Sequence, residues 1–178
     1  MLNLLLAYLL CTNPIDYETK ISGLSGQIVS KMAVQQQMDC ESIKEQIEDK
    51  KKEEAIGRFL ARYNSPLQNS AKDFVEVAKK YQTSPYLLVA IAGKESTFGK
   101  RTCGLYNAWG YGNPCIGFSS YRDGIERVCK TIMENKVYTK FRRTQKIADL
   151  GPVYNKPTGY EDWVKDVEWF MQKIRKEE

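Results

Sequence analysis

Apolar residues recur every three or four positions along most of the chain, which is the spacing of amphipathic α-helices. No segment shows the apolar–polar alternation of a half-buried strand, so we predict a mostly α protein with at most a small hairpin. The hairpin would lie in a loop rich in glycine and aromatic residues at 99–117. Helices are predicted over 19–63, over 71–81, from Ser84-Pro85 onward, and over 121–134, 140–150 and 161–176.

The helix that opens at Ser84-Pro85 has the most apolar sequence of the predicted set. A serine cap followed by proline favours helix initiation. Residues 86–93, YLLVAIAG, are apolar on every face, which predicts a buried central helix. Near the end of the chain, Gly151-Pro152 and Lys156-Pro157 predict a turn around 153–155.

Breaks in this pattern divide the chain into three parts. Residues 1–14 contain the apolar run Leu2–Cys11, which is shorter than the ~20 residues of a membrane-spanning helix. We interpret it as a signal- or anchor-like segment that contacts a membrane or a partner; a helix packed on the domain is the alternative. Residues 15–64 predict a helical stalk, a candidate coiled coil for self-association. Asn64-Ser65-Pro66 ends it, and 65–178 forms the domain.

Composition excludes several kinds of chemistry. The chain has no histidine, so Ser-His-Asp triads, Cys-His pairs and HExxH zinc sites are impossible. The net charge of +5 divides into −1 over residues 1–64 and +6 over 65–178. A basic domain favours a polyanionic partner such as a cell-wall polymer, although the same excess also serves solubility.

The cysteines indicate neither a zinc site nor a thioredoxin-like motif, because no CxxC occurs among the five. Cys103 and Cys115 flank the Gly-rich loop. They form a disulfide if the protein resides in an oxidising compartment, or remain free buried thiols.

Glu95 is the carboxylate with the most unusual sequence position. It ends the apolar central helix, where burial would raise its pKa as a general acid requires. A plain ion pair with Lys94, Lys100 or Arg101 is the alternative.

Three motifs in order resemble the lysozyme-like superfamily of peptidoglycan glycosidases. Glu95–Gly99 (ESTFG) is similar to the catalytic motif of soluble lytic transglycosylases. Asn107–Gly110 (NAWG), with the later Phe118–Tyr121, is similar to bacterial endo-β-N-acetylglucosaminidases. Tyr154-Asn155 resembles the core of the transglycosylase motif Ala-Tyr-Asn-Ala-Gly. The resemblance covers about Ser65–Lys176.

This resemblance implies an α+β lysozyme-like domain that cleaves the β-1,4 glycan strand of peptidoglycan, without a metal or cofactor, in the cell envelope or outside the cell. Glu95 would be the general acid/base, and Tyr154 would lie nearby and steer its proton. The implied substrate-binding residues are Ser96, Phe98, Asn107, Trp109, Tyr111 and Tyr121. Nucleic acid is not an expected partner, since no recognised motif for it occurs.

Glycosidases usually use a second catalytic carboxylate beside the general acid. Asp123 and Glu126 are the nearby candidates, and both begin a helix, where carboxylates commonly pair with the helix dipole. A lytic transglycosylase needs one glutamate only, so we favour that route, or a muramidase. Departures from the transglycosylase pattern, such as Trp109–Gly112 in place of Gly-Leu-Met-Gln, keep an endo-β-N-acetylglucosaminidase open. A non-catalytic cell-wall binding or scaffold protein is the alternative from another class.

Overall fold

The computed structural model describes residues 11, 26–155 and 159–178, which are mostly helical and contain no strand. The mostly α prediction is therefore confirmed for this part of the chain. The helices are α1 (Gly26–Arg62), α2 (Ala71–Lys80), α3 (Pro85–Ser96), α4 (Tyr121–Glu134), α5 (Thr139–Thr144), α6 (Ile147–Tyr154) and α7 (Tyr160–Arg175), with single 3-10 turns at Gln68–Ser70 and Lys136–Tyr138.

The chain divides into two compact units, residues 1–51 and 52–178. In the first unit a disulfide joins Cys11 to Cys40, a pairing that sequence analysis did not propose. The apolar segment 1–14 lies outside the described residues, except for Cys11. Within the described ranges, no helix has the length and apolar content needed to cross a bilayer.

The second unit begins inside α1, before the boundary predicted at Asn64. Ile56, Phe59 and Leu60 of α1 are at most 3% exposed and belong to the hydrophobic core. The turn signal at 64–66 correctly marks the end of the helix, but the compact unit starts where the α1 side chains become buried.

Helix α3 is the centre of the core, as its sequence predicts. Residues 87–92 are all at most 4% exposed, and α7 packs along the helix more extensively than any other element. Helix α2 packs on α3 and also on α4. With neighbours on several sides, α3 has no polar face over these residues.

The two ends of α3 are set by specific residues. The Ser84 hydroxyl accepts a hydrogen bond from Tyr86 N at 3.3 Å, and Pro85 occupies the first turn. At the other end, Thr97, Phe98 and Gly99 have φ values of 53°, 57° and 81°. Three consecutive left-handed residues reverse the chain directly after Ser96, so the Glu95 carboxylate projects from the last turn of a buried helix.

Two predictions near the C-terminus were wrong. The helix predicted over 140–150 is two helices, α5 and α6, because Gln145 adopts φ 55° between them. The turn predicted at 153–155 lies largely within α6, which contains Pro152. The turn expected from Gly151-Pro152 does not form, because this segment packs closely on α7. Gly151 lies so near α7 that an added Cβ would be only 2.5 Å from Val164 Cγ2.

Candidate active site

Glu95 lies at the C-terminal end of α3, and its carboxylate is held by a residue of α7. Trp163 Nε1 donates a hydrogen bond of 2.6 Å to Glu95 Oε1. The glutamate side chain as a whole is solvent-exposed, contrary to the expectation of a sheltered acid, but its carboxyl group lies against the indole. This partial desolvation raises the pKa of Glu95, and the Trp163 hydrogen bond and the charge of Lys94 oppose the rise.

The Gly-rich loop forms a second wall beside the carboxylate. A Cβ added to Gly110 would lie 3.2 Å from Glu95 Oε2, and the residue has φ 62°. A side chain here would be strained and would crowd the acid. The loop is anchored at the preceding residue, where buried Trp109 donates its indole N–H to Leu88 O at 2.9 Å.

Tyr154 connects the loop and α7 beside the acid. Its hydroxyl donates a hydrogen bond of 2.8 Å to Trp109 O, and its ring stacks on Trp163 with centroids 5.3 Å apart. Burial, and secondarily the nearby Glu95 charge, raise the pKa of Tyr154 well above its ordinary value, so the phenol stays protonated. The structure therefore brings together Glu95 and Tyr154, the two residues for which sequence analysis predicted a catalytic role.

Asn107 organises the loop from its interior. The side chain is fully buried, and Nδ2 donates to Tyr111 O at 2.8 Å and to Ile116 O at 2.7 Å. Its Oδ1 accepts from Trp109 N at 3.2 Å and Tyr111 N at 3.0 Å. The loop backbone is thus held by hydrogen bonds to one side-chain amide and not by bonds between paired strands. The hairpin predicted here is absent from the described loop.

Asn107→Ala should lower the free energy of unfolding by at least about 2 kcal/mol, because several buried backbone groups lose their partner. Urea denaturation measures the change, and Asn69→Ala, at an exposed asparagine, is the control. A loss no larger than that of the control would show that the loop does not depend on this amide.

A disulfide between Cys103 and Cys115 closes the same loop. This settles the alternative left open by the sequence, and Cys129 is the buried free thiol. The bridged cysteines are 12 positions apart, and the residues between them include Asn107 and Gly110, so the bridge restrains the wall beside Glu95.

Replacing both Cys103 and Cys115 by serine should destabilise the protein by about 3 kcal/mol, the chain-entropy value for a loop of this size. Thermal unfolding of the double variant, compared with that of Thr102→Ser at an exposed residue beside the bridge, measures it. Equal melting temperatures for wild type and double variant would contradict a bridging role.

Four of the residues predicted to bind substrate lie in the interior instead. Phe98, Asn107 and Trp109 are at most 1% exposed, and Ser96 is 3% exposed. Ser96 Oγ donates to Ala108 O at 2.7 Å and accepts from Gly99 N at 2.8 Å. These side chains hold the two walls together, and they present no surface to a sugar.

Phe98 belongs to an aromatic cluster of the core. Its ring lies 4.4 Å from that of Tyr63 and 4.9 Å from that of Phe170, measured between centroids. This packing joins the turn after α3 to α1 and α7.

The remaining predicted substrate-binding residues, Tyr111 and Tyr121, are partly exposed. Tyr111 shares a hydrogen bond of 3.0 Å with Thr131 of α4, while Tyr121 packs edge-on against Tyr106 with centroids 5.0 Å apart. Tyr111 lines an open groove of about 600 Å³ together with residues of α4 and of the turn after it. Tyr111 directly follows Gly110, the glycine beside the Glu95 carboxylate. The other groove residues are Asp123, Glu126, Arg127, Lys130, Thr131, Glu134 and Asn135.

The two candidates for a second carboxylate are both engaged elsewhere. Asp123 accepts hydrogen bonds from Ser119 N and Oγ, each at 3.1 Å, and these lower its pKa. Glu126 pairs with Lys80 of α2, which lowers its pKa also. Both stay ionised at neutral pH, as a second catalytic carboxylate must be, but each is already engaged with another group.

Trp163 is the site residue that sequence analysis missed. Its position on the apolar face of the last helix indicated only a core residue. The available signal was chemical: a buried indole needs an acceptor for its N–H, and Glu95 carries one.

Among the described residues, no three cysteine, aspartate or glutamate side chains converge as a metal ion would require. Comparisons of the chain with protein-family models, with curated proteins and with solved structures gave no match.

Proposed function

We propose that this protein cleaves the β-1,4 glycan strand of peptidoglycan, with Glu95 as the general acid/base of a lysozyme-like domain. The observation that carries the proposal is the setting of Glu95: an accessible carboxylate with a raised pKa, held by an indole N–H and facing a side-chain-free glycine. Accessibility lets the carboxyl reach a bound substrate, and the raised pKa lets it retain a proton nearer neutral pH.

A lytic transglycosylase reaction makes the best use of a single such group. Glu95 gives its proton to the glycosidic oxygen as the bond to C1 of the muramyl residue breaks. The resulting carboxylate then takes the proton of the muramyl C6 hydroxyl, whose oxygen attacks C1 and closes a 1,6-anhydro ring. Glu95 ends the cycle protonated, and no water is consumed. The engagement of Asp123 and Glu126 with other partners supports this route over one that needs a second carboxylate.

Tyr154 is a positioning residue in this scheme. Its hydroxyl is directed to Trp109 O, so it fixes the Gly110 wall, and its ring supports Trp163. Glu95 is thereby oriented by contacts from α7 and the loop. The disulfides fit an extracytoplasmic location, where peptidoglycan is found and where such bonds persist.

Hydrolysis at the N-acetylglucosamine side of the repeat is a second candidate, because the NAWG loop forms the wall at Glu95. Mass spectrometry of fragments released from purified peptidoglycan separates the activities. Anhydro-muramyl ends are expected for the transglycosylase, reducing muramic ends for a muramidase, and reducing glucosamine ends for the glucosaminidase. If no fragments are released but the protein is retained on the wall, it is a binding module and the enzymatic proposal fails.

A further inference from the structure

A second groove lies between α3 and α7, and its α3 residues directly precede Glu95 in the sequence. Its volume is about 450 Å³. It is lined by Gly93 and Lys94 of α3 and by Lys165, Asp166, Trp169 and Phe170 of α7.

This groove lies between the two helices that hold the acid. Lys94 directly precedes Glu95, and Trp169 follows Trp163 by six residues, about 9 Å along the helix axis. Lys94 and Asp166 form an ion pair that ties the two walls together. The groove is therefore bordered by the same two helices that carry Glu95 and Trp163.

The wall of the groove carries an exposed aromatic ring. Trp169 is 48% exposed, an unusual position for so large an apolar side chain. Its ring is supported by Phe170, with centroids 5.1 Å apart, and Lys173 Nζ lies 5.0 Å from its centroid. The indole is thus held in place while part of its surface remains free, as a platform for a flat ligand requires.

Three ammonium groups border the ring, those of Lys94, Lys165 and Lys173. Lys94 pairs with Asp166, and Lys165 pairs with Asp162 at 3.1 Å. The Lys165 side chain is 74% exposed, so water screens its ion pair and the amine can exchange partners at low cost.

We propose that this groove is an outer glycan-binding subsite, in which Trp169 stacks on a sugar ring and Lys165 binds the lactyl carboxylate of a muramyl residue that carries no peptide. The inference rests on the proposed function and adds a binding role for residues outside the catalytic centre. It assigns the strand a path from the Glu95 site along α7.

The test measures binding rather than cleavage, in Glu95→Gln protein so that the strand stays intact. The probes are peptide-free glycan strands and a hexamer of β-1,4-linked N-acetylglucosamine, which lacks the carboxylates. Adding Trp169→Ala should weaken the binding of both probes about tenfold, as expected for a central aromatic contact, and Trp169→Tyr should restore most of it. Lys165→Ala should weaken binding of the muramyl strands alone.

Lys72→Ala on α2, which removes a similar exposed ion pair with Glu76, is the control and should leave both affinities unchanged. Equal affinities with and without Trp169 would overturn the proposal, as would an effect of Trp169→Ala on self-association instead of on glycan binding. Cleavage by the wild-type protein is assayed separately. Trp169-dependent binding without cleavage would refute the proposed enzyme and leave the subsite standing, whereas cleavage with Trp169-independent binding would do the reverse.

Discussion

Glu95→Gln should reduce the release of soluble fragments from purified peptidoglycan by a factor of about 10²–10⁴, the usual contribution of a general acid/base. The amide keeps the shape of the side chain and can accept the Trp163 hydrogen bond, but it carries no transferable proton. Reducing-end or anhydro-end counts measure the loss, and binding to intact wall should persist.

Glu168→Gln on α7 is the matched control, since it removes an exposed carboxylate and should leave cleavage unchanged. Stability gives a second check. The folded-state pKa of Glu95 is raised, which means that ionisation of this carboxyl disfavours the folded state. The stability of the protein therefore falls as the pH rises through the folded-state pKa. Glu95→Gln should thus be at least as stable as wild type at neutral pH, and full activity in this variant would refute the assigned role.

Trp163→Phe should lower the maximal cleavage rate about tenfold and move the alkaline limb of the pH–rate profile to higher pH. The indole N–H stabilises the ionised carboxylate, so its removal raises the pKa of Glu95 further. The acid then stays protonated to higher pH, while the misplaced carboxyl reacts more slowly. Cleavage rates measured from about pH 4 to about pH 9, a range that covers both limbs of the pH–rate profile, report the shift.

Tyr160→Phe changes a half-buried aromatic residue on the same helix that has no role in the proposed site, so it is the control and should not move the alkaline limb. Trp163 is 1% exposed, and its replacement also leaves a cavity that costs on the order of 1–3 kcal/mol. A uniformly lower rate with an unmoved alkaline limb would mean that Trp163 supports the fold and does not tune Glu95.

The sequence predicted the parts of this site that depend on local signals. The all-apolar run 86–93 predicted a buried helix, and the first charged residues after it had to emerge at its end, which located Glu95. The pairing of Glu95 with Tyr154 followed from a family resemblance between motifs. Physical patterns in the chain alone do not place side chains so distant in sequence beside each other.

Other features depended on contacts that local patterns do not contain. Asn107 and Trp109 looked like cleft residues, but each has enough internal hydrogen-bond partners to be fully buried. Pro152 signalled a turn, yet the close packing of Gly151 on α7 keeps the segment helical. Trp163 had the same apolar-face position as a core residue, and only the fold revealed which acceptor its N–H meets.

The most direct test of the account is a carbon-13 NMR titration of the Glu95 carboxyl, assigned by comparison with Glu95→Gln. The structure predicts a pKa above the ordinary value of a glutamate carboxyl. It should coincide with the pH at which wall cleavage declines, and both should rise together in Trp163→Phe. A Glu95 carboxyl that titrates at or below the ordinary glutamate value, while cleavage declines at an unrelated pH, would contradict its assignment as the proton donor.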